Sequence, residues 1–132
     1  MMNHSTLTAA LALALFLVVA GCRTAPIYNV EHAPVTTNKP HASLDDVEKA
    51  IVRAGAGLGW QMRKIKPGLI DGTLYLRSHV AEVSIPYSTQ EYSIRYKNSQ
   101  NLNYQAGQIH KNYNSWVQNL DNAIRSELLA QP

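Results

Sequence analysis

Beyond residue 42 the apolar positions fall into two periods. Leu44, Val47, Ala50, Ile51, Ala54 and Leu58 recur at helical spacing. Ser43 stands before them as an N-cap, with Asp46 three residues later as a near match to a capping box, and Asp45, Asp46 and Glu48 suit the positive end of a helix. Gly55, Gly57 and Gly59 stop it, so the pattern predicts a helix over 44–55. Four strand-like runs follow, at 60–65, 69–77, 80–87 and 90–97. The first ends at the Pro67-Gly68 turn, and Asp71-Gly72 marks a bulge or early turn in the second. Ala81, Val83, Ile85 and Tyr87 share one face of the third run; Tyr92, Ile94 and Tyr96 point inward from the fourth, with Ser93, Arg95 and Lys97 outward. The short spacers predict antiparallel neighbours. Residues 98–111, rich in Asn, Gln and Gly, read as a loop. A last helix is expected over 113–129, with the stripe Tyr113, Val117, Leu120, Ile124 and Leu128 flanked by Trp116 and Ala123. The expected fold is α+β in two layers, helix, four-stranded antiparallel sheet, helix, with one sheet face wet.

Before the domain the pattern is different. Residues 7–20 are almost wholly apolar. A helix of about 14 residues rises only about 21 Å, short of the roughly 30 Å hydrocarbon core, so the run suits a signal h-region better than a permanent span. It ends in Val19-Ala20-Gly21-Cys22, which holds the chain's one cysteine. This run resembles the lipobox of bacterial lipoproteins. The resemblance implies cleavage before Cys22, a diacylglycerol on its thiol and three acyl chains in all. One chain binds a membrane only marginally, and several anchor it permanently. Arg23, a residue other than Asp after the cysteine, implies by the same analogy the outer membrane, with the domain facing the periplasm. The first six residues lack Lys and Arg, a departure from the usual positive start.

Three segments result: a signal peptide at 1–21, a lipidated cysteine and tether at 22–42, and a single α+β domain at 43–132. Pro26, Pro34 and Pro40 within 23–42, with no helical or strand period, read as a semi-extended linker whose roughly 20 residues reach about 65 Å. With a lone cysteine no intrachain disulfide forms.

The net charge is +3, and every charged side chain lies after Cys22. Arg63, Lys64 and Lys66 make the one local basic cluster, read as a strand edge protected from pairing or as a contact for anionic head groups or an acidic wall polymer. No nucleic-acid motif is present. Seven tyrosines and two tryptophans are many for one small domain. Those at inward positions read as core, and Tyr104, in the loop, is the candidate for an aromatic shelf.

No Gly-x-Ser-x-Gly elbow and no His-Glu-x-x-His occurs, and Gly55, Gly57 and Gly59 follow a helix instead of opening one, so they make no phosphate cradle. No metal site, cofactor or catalytic residue is assigned. His79 reads as a strand-end residue and His110 as a helix-start residue; an envelope hydrolase using either, with Ser78 beside His79, is the catalytic alternative. A small-ligand carrier with a pocket between helices and sheet is a third reading. The leading expectation is a non-catalytic binding or scaffolding module for an envelope protein or cell-wall polymer. Its working surface is expected on the exposed strand face and the polar residues Asn101, Asn103, Tyr104, His110, Asn112 and Asn114.

Gly59-Trp60, Pro67-Gly68, Arg77-Ser78-His79-Val80-Ala81, Tyr92-Ser93-Ile94-Arg95-Tyr96, Ser99-Gln100-Asn101-Leu102-Asn103-Tyr104 and the run from Ile109 through His110, Tyr113 and Trp116 to Val117 together resemble a family of small uncharacterised proteobacterial lipoproteins. The resemblance covers nearly all of the domain and implies an envelope address. It carries no catalytic residue over.

Overall fold

A computed structural model describes residues 23–132, so the segment expected to be a signal peptide and Cys22 lie outside the described residues. In chain order the elements are β1 (Thr24–Pro26), β2 (Val30–Pro34), α1 (Leu44–Gly57), β3 (Gln61–Lys66), β4 (Leu69–Leu76), β5 (His79–Pro86), β6 (Glu91–Gln100), β7 (Gln108–His110) and α2 (Lys111–Leu129). The class is α+β.

The capping box at the start of α1 is complete. The Ser43 hydroxyl accepts from the Asp46 N–H at 3.1 Å, and the Ser43 N–H donates to the Asp46 carboxylate at 2.9 Å. That backbone N–H, with the Lys39 ammonium 3.1 Å away, holds the Asp46 carboxyl down at about 2. The helix runs to Gly57, and Leu58, read from the sequence as part of its apolar stripe, caps it and is exposed.

Strands β3 to β6 form an antiparallel meander, as expected. The sheet has five strands and not four, in the order β2-β6-β5-β4-β3. The additional strand comes from the segment expected to be a tether. Val30 pairs with Ile94 and Ala33 with Tyr92, and both Val30 and Ala33 are buried. The prolines do not prevent this, because Pro34 ends an edge strand, where no N–H is required of it. Val30 and Ala33 are three apart, with His32 at φ 53 between them, so the strand period is broken where the sequence had to show it. The residues before β2 are ordered too: β1 pairs with β7, Thr24 opposite His110. Among the described residues the paired strands therefore reach back to residue 24, ahead of the boundary expected at 43. The expected loop at 98–111 is likewise shorter, since β6 continues to Gln100 and β7 occupies Gln108–His110. Asp71-Gly72 lies in regular register opposite Arg63 and Met62; the irregularity between these strands falls at Lys64/Lys66.

Both helices cover one sheet face and pack on each other. Val47 and Ile51 of α1, Leu120 and Ile124 of α2, and Ile70, Val83, Ile85 and Ile94 of the sheet are fully buried, and they occupy the space between helices and sheet. Each such side chain contributes about 1.5–3 kcal/mol relative to exposure. Gly55 of α1 gives the closest approach within that layer, since a Cβ there would overlap the Met62 sulfur; a Cβ on Gly72 would stand 3.2 Å from both that sulfur and a Val83 methyl.

Candidate functional site

The β4–β5 turn brings Leu76 opposite His79 with Arg77 and Ser78 between them, and Arg77 takes φ 55 to close it. Val80 pairs with Gln100, which places the next residue, Asn101, beside this turn. The Asn101 carbonyl lies 2.7 Å from His79 Nδ1, and the Asn101 side-chain amide donates to Ser78 Oγ at 2.7 Å. A carbonyl only accepts, so neutral His79 carries its proton on Nδ1 and leaves Nε2 open. His110 has the opposite tautomer. As the N-cap of α2 its Nδ1 accepts from the Asn112 N–H at 3.2 Å, so its proton sits on Nε2.

The two rings meet, with centroids 6.5 Å apart, and Trp116 lies 6.3 Å from His79. Strand register and the β7–α2 junction create this meeting, which no local pattern announces. His79, oriented through Nδ1 with Nε2 free, has the half of a general base that faces away from substrate. The Ser78 hydroxyl is engaged by Asn101, and among the described residues no hydrogen bond joins it to the imidazole. His110 could ligate a metal through Nε2 only by moving its proton to Nδ1 and breaking the cap. Among the described residues no group of three or more His, Cys, Asp or Glu is placed to hold a metal ion.

The six polar residues singled out from the sequence divide into three roles. Asn101 and His110 belong to the cluster just described. Asn103, at φ 53, and Tyr104 line an adjoining open depression of about 560 Å³ with Arg23, Thr24 and Gln108. Tyr104 is 50% exposed although its ring stacks on Tyr96 at 4.4 Å. Asn112 and Asn114 serve the fold: the Asn112 N–H is the capped group, and the Asn114 side chain bonds the backbone of Pro26 and Tyr28. Sequence reasoning missed Arg23, Arg77 and Trp116, which the β1–β7 pair, the β4–β5 turn and the start of α2 bring to this end.

Charge divides the molecule. The stretches 23–28, 76–79 and 100–114, which build this end, contain Arg23, Arg77 and Lys111 and no acid. All three cations are exposed, and none is ion-paired among the described residues. The sheet face away from the helices is different. Asp71 meets Lys97 and, at 3.8 Å, Arg63, and Arg95 grips Glu31 with two nitrogens at 2.9–3.2 Å. Gln61, Arg63, Asp71, Thr73, Glu82 and Lys97 line a depression of about 240 Å³ on that face, and Tyr75 beyond it is 60% exposed. Of the basic cluster on edge strand β3, Lys64 is paired with Glu48 at 2.9 Å.

No helix among the described residues is long and apolar enough to cross a membrane. Comparison of the chain with protein-family models, with curated proteins and with solved structures finds no match.

Proposed function

We propose that this is a lipid-anchored lipoprotein of the outer membrane, its domain facing the periplasm, which acts as a non-catalytic binding or scaffolding module for an envelope protein or cell-wall polymer. The anchor reading rests on the lipobox-like Val19-Ala20-Gly21-Cys22 after the apolar run. The binding reading is carried by one observation: the sheet leaves one face open, and that face presents a depression of paired and hydrogen-bonding side chains instead of a helix. Lys97 is already paired with Asp71, so a polar partner meets those two side chains partly ordered and loses less side-chain entropy there. Thr73, Glu82 and Gln61 supply further donors and acceptors, and Tyr75 supplies an amphipathic ring at the edge.

The test is in-cell photo-crosslinking from Thr73 and from Glu82, followed by mass spectrometry, in the native chain and in Cys22→Ser. A defined protein or glycan adduct that disappears with the anchor is the expected result. Absence of any adduct from both positions, with the domain folded, would refute the open face as the working surface.

A further inference from the structure

We infer that the end of the domain bearing Arg23, the β4–β5 turn and the 101–107 loop docks directly on an anionic phospholipid surface. The inference rests on the anchoring proposed above and adds to it an orientation and a lipid class. Its starting point is the absence of slack in 23–30. Thr24 is paired with His110, the Ile27 N–H donates to the Gly107 carbonyl at 2.9 Å, and Asn114 bonds both Pro26 and Tyr28. One residue, Arg23, separates Cys22 from Thr24, and two residue steps reach at most about 7 Å. An acyl group on Cys22 would thus bring this end of the fold to the head groups, where a free tether would have let the domain drift about 65 Å away.

What this end carries suits that position. Arg23, Arg77 and Lys111 are exposed cations, and the segments that build the end hold no acid to offset them. Such a patch is attracted to an anionic leaflet and little to a zwitterionic one. Tyr104, half exposed beside the point where the chain enters the fold, offers the apolar body and polar tip that aromatic rings present at membrane interfaces. Its stacking on Tyr96, which in turn meets Tyr113 edge-on at 5.7 Å, fixes the ring before contact. Docking through this end leaves the open sheet face accessible to a partner.

The experiment uses the full chain, purified from membranes and reconstituted into vesicles of phosphatidylcholine alone or with one-third phosphatidylglycerol, and follows hydrogen–deuterium exchange. Peptides spanning 103–107 should exchange about tenfold more slowly on the anionic vesicles. The protection should fall when salt shortens the Debye length from about 10 Å at 0.1 M to about 3 Å at 1 M. It should also vanish in the triple variant Arg77→Asn, Lys111→Gln, Tyr104→Ser, in which Asn tolerates the left-handed turn position of Arg77. Equal exchange on both vesicles and in detergent would overturn the docking. So would protection that appears only with envelope extract, which would mean a protein partner. Intact mass of the same sample reports the lipid on Cys22 separately, so failure of the anchor and failure of the docking are told apart.

Discussion

Asn114 on the first turn of α2 donates from its side-chain amide to the carbonyl of Pro26 at 2.9 Å, while its Oδ1 accepts from the Tyr28 N–H at 3.0 Å. Both polar ends of one side chain thus hold the first strand of the fold, and the chain enters the domain at a fixed place. Asn114→Ala removes both bonds, each worth about 0.5–1.5 kcal/mol. We expect a loss of about 1–3 kcal/mol in urea unfolding, summing those two bonds. Hydrogen exchange should quicken across 24–28 while the β3–β6 amides stay unchanged.

Two buried tyrosines should respond in opposite ways. Tyr92 donates to Asp121 at 2.6 Å, and Asp121 also accepts from Arg125 at 3.2 Å. Tyr92→Phe leaves that buried carboxylate short of a donor and should cost about 1–3 kcal/mol. The hydroxyl of Tyr113 is buried with no hydrogen-bond partner among the described residues. Tyr113→Phe should therefore be neutral or stabilising by up to about 1 kcal/mol, read in the same urea titration. Burial, and for Tyr92 the Asp121 bond as well, pushes both phenols above their usual range. Their contribution is thus complete below about pH 10 and is lost as pH rises beyond it.

Acid should weaken the domain through Asp46. The Ser43 N–H, then Lys39, hold its carboxyl at about 2 in the folded chain, against roughly 3.9 for an unfolded Asp. A depressed carboxyl contributes stability that is present above the unfolded value and is lost as pH falls toward the folded one. Urea midpoints should therefore decline between about pH 4 and pH 2. Asp46→Asn, which loses the charge at all pH values, should flatten that part of the profile; a profile identical to the native one would count against the capping box as its source.

His110 is the N-cap of α2 through Nδ1. His110→Asn offers the backbone another acceptor and should preserve stability, whereas His110→Ala should cost about 0.5–2 kcal/mol in thermal or urea melts. Equal loss in both variants would show that the ring contact with His79, and not the cap, is what matters at this junction.

The α1 cap, the four meander strands and the stripe of α2 were legible because each is a local pattern: a polar cap, a period of two or a period of 3.6. What was hidden depended on long-range pairing. Val30 and Ala33 join the core through a bulged edge strand whose period is broken, and β1 and β7 are three residues each, too short for any period to show. The same holds for the site. Asn101, His110 and Tyr104 stood out as polar or aromatic loop residues, but their division among a ring cluster, a depression and the structural ties of Asn112 and Asn114 follows from register alone. Arg23 looked like linker until β1 placed it beside Tyr104.

Lipid anchoring is tested most directly by the intact mass of the chain isolated from the membrane fraction, compared with Cys22→Ser. A lipid-anchored native chain should begin at Cys22 and carry diacylglycerol and a further acyl chain, and the Cys22→Ser chain should lack them. A native chain with an unmodified Cys22, or one that retains residues 1–21, would contradict lipid anchoring.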